Sequence, residues 1–131
     1  MTDEWSTDRG SATIEVRTPA VVWITASGHL DSNMGKNVIS TIDKHLRERP
    51  RHLFFELEEL NDYAPGVRQA FTKMIVEHRS RVRSLHVLAR SRIVRMGASV
   101  VALTFPSLVV HGDRGKFLAA LNAALADRST G

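Results

Sequence analysis

Residues 51-RHLFFELEELNDYAPGVRQAFTKMI-75 place a strand, a short polar loop and an amphipathic helix in direct succession. Leu53, Phe54, Phe55, Glu56 and Leu57 form an apolar run of strand length, suited to a strand covered on both faces. Asn61 and Asp62 are residue types that cap helices, and Pro65 is tolerated in a first turn, where no backbone N–H is needed. Beyond Pro65 the apolar residues Val67, Ala70, Phe71, Met74 and Ile75 follow the spacing of one buried helical stripe, leaving Arg68, Gln69, Lys73 and Glu77 in water. A strand running into a helix is where α/β folds usually keep their chemistry.

Upstream, residues 1–10 are polar and aperiodic, which predicts a flexible N-terminal tail with Trp5 folding back over an exposed strand. Ala12–Val16 alternates as a half-buried strand, and after the break at Thr18 and Pro19 a second strand runs through Ala20–Thr25 and ends at Gly28, giving an antiparallel hairpin. Asp31 or Ser32 then caps a helix carrying Met34, Val38, Ile39, Ile42 and Leu46, which Pro50 forbids from continuing.

Downstream, Val82–Leu88 reads as a buried strand. Ser91 caps a helix through Ile93, Met96, Gly97, Val100 and Val101, and Pro106 ends it. Ser107–His111 is a short strand, and Phe117, Leu118, Leu121, Ala124 and Leu125 line a terminal helix before residues 128–131 fray. The order is ββαβαβαβα: an α/β domain with a mixed, mainly parallel sheet of about five strands, an antiparallel N-terminal edge and about four helices. Residues 11–127 are expected to form this single domain, because 131 residues suffice for one core.

Composition removes several classes of function. There is no cysteine, hence no disulfide and no thiolate metal site. His29, His45, His52, His78, His86 and His111 lack metal-ligand spacing, so no metal and no cofactor are expected. No nucleophile elbow or glycine-rich phosphate loop occurs, and Glu56, Glu58, Glu59 and Asp62 read as a solvated rim, so the chain is not expected to be an enzyme. No stretch has the length of a membrane span, and the polar N-terminus predicts a cytoplasmic protein. The net charge of +4 permits nucleic-acid contact. However, a central strand Val82–Leu88 separates Arg79, Arg81 and Arg83 at one rim from Arg90, Arg92 and Arg95 at the other, and aromatics are not interleaved, so nucleic acid is disfavoured. Arg90, Arg92 and Arg95 at a helix start form a candidate site for one anion, beside the plainer reading of a solubilising rim.

Taken together, the strand pair, Gly28-His29-Leu30-Asp31 leading into a helix, the strand Leu53–Leu57 before Glu58-Glu59-Leu60, the loop with Gly66 opening a helix, the basic stretch before Leu85–Leu88 and the short last strand and helix resemble the STAS domain of the anti-sigma-factor antagonists (SpoIIAA-like proteins). The resemblance spans about Ala12 to Leu125. It implies a bacterial, non-enzymatic module of regulation or signalling whose partner is a protein: an anti-sigma factor, a kinase-like protein or another signalling domain. A homodimer is compatible with it.

In that family a loop serine or threonine just before this helix is phosphorylated. Here Ala64 and Pro65 hold the positions before Gly66, so the resemblance implies a variant without the phosphoacceptor. Tyr63 reads as a packing or contact residue. The expected partner surface is Asn61, Asp62, Tyr63, Gly66, Arg68, Gln69 and Lys73. The chain also resembles a non-phosphorylated STAS-like branch related to lipid-binding domains. That likeness implies the alternative, a sensor or carrier of a small apolar or anionic ligand between helices and sheet, with Met34, Met74 and Met96 as adaptable walls.

Overall fold

A computed structural model describes residues 2–127. Along the chain the strands are β1 (Thr2–Ser6), β2 (Gly10–Thr18), β3 (Val21–Leu30), β4 (Arg51–Leu57), β5 (Leu60–Tyr63), β6 (Val82–Ala89) and β7 (Leu108–His111). The helices are α1 (Ser32–Glu48), α2 (Val67–Glu77), α3 (Arg92–Thr104) and α4 (Arg114–Leu125), with one 3-10 turn over Arg79–Arg81. All seven strands join one sheet in the order β1-β2-β3-β4-β6-β7, with β5 paired to β3 off this path. β1, β2 and β3 are antiparallel, and the β3–β4, β4–β6 and β6–β7 pairs are parallel.

The period of a strand sorts the core into two layers. Ile14, Ile24, Leu53, Phe55, Leu85 and Val87 point to the face covered by α1, α2 and α3. Val21, Trp23, Phe54 and Leu88 point to the other face and meet Phe117 and Leu121 of α4. Arg51 is also buried: it donates to Glu48 Oε1 (2.9 Å) and to the carbonyls of Pro19 (2.8 Å) and His45 (3.2 Å), so one guanidinium pins three segments at the bottom of the sheet.

Several expectations are corrected. Residues 2–6 are not a tail but strand β1, with Thr2 opposite Glu15 and Trp5 opposite Ala12. The charges that made it read as a tail suit an edge strand, where they discourage further pairing. Trp5 does fold inward, half-buried against the main core. The strand count is seven rather than five, because β1 and the four-residue β5 carry no strand-like alternation of apolar residues.

Asn61 and Asp62 do not cap α2, since both lie in β5; the N-cap is Gly66, without a side-chain hydrogen bond, and Pro65 precedes the helix rather than lying in its first turn. Gly28 does not end its strand. With φ of 72° it lies inside β3, where the strand exchanges β4 for β5 as its neighbour, and a β-carbon there would overlap the Arg9 carbonyl oxygen. Asp31, Ser91 and Asp113 cap α1, α3 and α4. The fraying expected of residues 128–131 lies outside the described residues.

Candidate functional site

The β5–α2 junction is built by β4 leaving the sheet, turning at Glu58 and Glu59, and returning as β5 along the last residues of β3. Ala64 N–H donates to the Leu30 carbonyl (2.9 Å), which fixes the loop to β3 and buries the Ala64 methyl. Gly66 adopts φ of 90° with open space around its Cα, so backbone geometry rather than crowding selects glycine there. From Asn61 to Phe71 the only hydroxyl is that of Tyr63.

The expected partner residues divide into three groups. Asp62 and Tyr63 are committed to neighbours through their side chains, whereas Asn61 is exposed and engages a neighbour only through its backbone carbonyl. The Asn61 carbonyl accepts from Ser91 Oγ (2.7 Å), Asp62 Oδ1 lies 2.7 Å from His29 Nδ1, and the Tyr63 ring lies against Gly97 of α3. Gly66, Gln69 and Lys73 are exposed. Arg68 is half-buried along the inner side of α2. Thus Gly66, Gln69 and Lys73 share an open surface, while Tyr63 belongs to the packing between β5 and α3.

Two concavities flank α2. On the α1 side a groove of about 550 Å³ runs past Pro65, Gly66, Ala70 and Lys73 and is bordered across from them by Lys36, Ile39 and Asp43. Beneath α2, between the three helices and the sheet, lies a cavity of about 110 Å³ whose lining includes Phe55, Val87, Phe71 and Val101 and, among the described residues, has Tyr63 and Arg68 as its only polar side chains. None of the three methionines expected as its walls lines it. Met34 and Met74 are packed in the core, and Met96 is 61% exposed on the outer side of α3.

The three arginines at the start of α3 do not close on one point: Arg90 stands 3.8 Å from Glu58, Arg92 is exposed, and Arg95 reaches toward Gly112 beyond β7. The basic residues at the two ends of β6 are separated as expected. Arg81 donates to the Leu46 and Arg47 carbonyls (3.4 Å each), while Arg90 lies at the opposite end. Glu56 and Glu58 are held by Arg114, at 2.6 and 2.7 Å, which makes them a paired rim.

On the α4 face the histidines are less isolated than their spacing implied. His86 Nδ1 lies 3.0 Å from His111 Nε2, and the His86 ring stacks on Phe54. Burial first, then the neighbouring His111 and His52, hold the His86 pKa down at about 4. His52 bridges Ser84 and Asp127, each at 2.7 Å, and so ties the end of α4 to the sheet. Among the described residues no group of three or more His, Asp or Glu side chains is placed to hold a metal ion, and no helix is long and apolar enough to cross a membrane.

Sequence reasoning missed the outer face of α3. Val94, Gly97 and Val101 face the sheet, while Ile93, Met96, Val100 and Leu103 are 53%, 61%, 38% and 82% exposed. Two apolar series share this helix, and only the 3-4-3 spacing of the second, at positions 93, 96, 100 and 103, signals it.

These elements define a STAS-like α/β domain with a mostly parallel sheet, an antiparallel edge and four helices. Solved structures share the fold. An uncharacterized protein of the DUF3478 family with a SpoIIAA-like fold, from Shewanella loihica PV-4, matches with a TM-score of 0.64 and 14% identity over 89% of this chain and 98% of that one. The anti-sigma factor antagonist SpoIIAA in its unphosphorylated form matches with a TM-score of 0.57 and 17% identity over 83% and 95% of the two chains. No protein-family model and no curated protein sequence matches the chain.

Proposed function

We propose that this domain is a non-enzymatic protein–protein interaction module of bacterial regulation or signalling, working in the cytoplasm and without the phosphorylation switch. Its partner is an anti-sigma factor, a kinase-like protein or another signalling domain. The observation that carries the reading is the open groove beside the β5–α2 junction, where Pro65, Gly66 and Lys73 border about 550 Å³ of accessible space and no hydroxyl stands at the helix start. Recognition there rests on shape and charge, with Gln69 and Lys73 on the exposed side of α2 as the variable contacts.

A photo-crosslinking residue in place of Gln69 should capture a defined partner in the native host, a control at the exposed Asn122 of α4 should not, and Lys73→Glu should suppress the product. Equal capture at both positions would remove this surface from consideration.

The apolar cavity favours a second reading, a sensor or carrier of a small apolar ligand. A cavity of about 150 Å³ admits benzene, so a space of 110 Å³ takes little more than a few heavy atoms unless α2 and α3 move apart. Native mass spectrometry separates the two readings: a co-purified small molecule supports the carrier, and a bare chain mass supports the interaction module.

A further inference from the structure

We infer that the outer face of α3 is a second docking surface, separate from the β5–α2 surface, and that its occupant is an acidic amphipathic helix of another protein. Ile93, Met96, Val100 and Leu103 are between 38% and 82% exposed and are spaced 3-4-3, which places them within about 80° of helical arc. A stripe this narrow at this spacing is the seam by which one helix packs on another. At the C-terminal end of α3, Arg79 donates to the Thr104 carbonyl at 3.2 Å.

The surrounding charge selects among occupants. α3 contains no Asp or Glu, and Arg92 and Arg95, both exposed, have no ion-pair partner among the described residues. Arg90 at the helix start has a side chain 74% exposed and only a 3.8 Å approach to Glu58, and Arg79 stands at the far end. An apolar seam on a helix whose own charged residues are all cations is complementary to an apolar seam flanked by carboxylates. A second copy would bring the same arginines against each other with no acid on α3 to answer them. A lipid surface would be met by a broad apolar face with interfacial aromatics, whereas α3 offers a narrow one with none.

The test uses the full chain and two synthetic peptides of roughly three heptads with the same leucine seam, flanked by Glu in one and by Lys in the other. Fluorescence anisotropy should give at least about tenfold tighter binding of the Glu-flanked peptide. Leu103→Glu should abolish that binding, Arg92→Glu with Arg95→Glu should reverse the preference, and Gln69→Glu with Lys73→Glu should leave it unchanged. All of these positions are exposed, so folding is preserved.

Equal binding of the two peptides, binding of neither, or an unaffected Leu103→Glu variant would overturn the inference. So would a dimer in sedimentation equilibrium that Leu103→Glu disperses, or co-sedimentation with phosphatidylglycerol vesicles that the same substitution abolishes while neither peptide binds.

Discussion

Gly97 sits in the middle of α3, where helix propensity alone favours alanine over glycine by about 1 kcal/mol, yet the structure predicts that Gly97→Ala destabilises the domain. A β-carbon at Gly97 would overlap the Tyr63 hydroxyl and stand 3.1 Å from the Tyr63 Cζ, closer than ordinary contact. Tyr63 cannot retreat freely, because β5 is registered on β3 with Tyr63 opposite Leu30 and its neighbour Asn61 is bonded to Ser91. Overpacking of this kind costs about 1–3 kcal/mol. Set against the propensity gain, a net loss of up to about 2 kcal/mol remains, or up to roughly 7 °C in Tm for a domain of this size. Tyr63→Phe removes the overlapping atom and leaves only the tight ring contact, so in that background Gly97→Ala should be close to neutral. The four proteins form a double-mutant cycle, readable by urea denaturation, with an expected coupling of about 1 kcal/mol or more. A more stable Gly97→Ala variant, or the same penalty in both backgrounds, would refute the account of how β5 is clamped to α3.

Burial holds the His86 pKa down at about 4 from its ordinary value of 6.5, so between those values the unfolded chain binds more protons and stability should fall as the solution is acidified from pH 6.5 to 4. The shift sets an upper limit of about 3 kcal/mol, which solvent screening of the half-buried ring reduces; His86→Phe should flatten the pH dependence of the urea midpoint over that window, and an unchanged slope would contradict the assignment. Arg51→Ala strands the Pro19 and His45 carbonyls at the bottom of the sheet and should cost roughly 2–4 kcal/mol in chemical denaturation, with Arg51→Lys recovering less than half because one ammonium cannot serve three separated acceptors. Trp5→Ala should lower stability by about 1–2 kcal/mol, less than for a fully buried tryptophan, and should speed amide exchange in β2; no change in either would mean that β1 adds nothing to the sheet. Val87→Ile and Val101→Ile, which extend into the central cavity, should together raise stability by about 1 kcal/mol, and a carrier so altered should lose any co-purified molecule while an interaction module keeps its partner.

Legibility followed how local each signal is. β4 and β6 are covered on both faces and announce themselves as apolar runs, and α1 declares its start through Asp31 and its end through Pro50. β5 does not, because a four-residue strand becomes a strand only where β3 continues beyond Gly28 and β4 has departed, a fact about two distant segments. Its Asn61 and Asp62 carry the signature of a helix cap, so local reading assigns them to the helix that begins six residues later. The candidate site was legible to the same degree. Gly66 and the missing hydroxyls are written in the chain, whereas the turning of Tyr63 and Arg68 inward and of Gln69 and Lys73 outward depends on where α3 lies. The paired imidazoles of His86 and His111 are 25 residues apart and meet only through the β6–β7 register.

The cavity and the exposed stripe have one physical origin in α3. The side of this helix turned to the sheet carries Val94, Gly97, Ala98, Val101 and Ala102, and the small residues among them let the helix approach Tyr63 while leaving space over Phe55 and Val87 unfilled. The side turned to water carries the larger Ile93, Met96 and Leu103. Burying such a side chain stabilises a fold by about 1.5–3 kcal/mol, so a helix shaped by stability alone would place its bulk inward, close the cavity and present polar residues to solvent. Single exposed apolar residues are ordinary, but four in register on one helix, bordered by arginines, are what a recognition surface requires. The exposure of these side chains is therefore the cost in stability that the proposed docking of an acidic helix on α3 would account for.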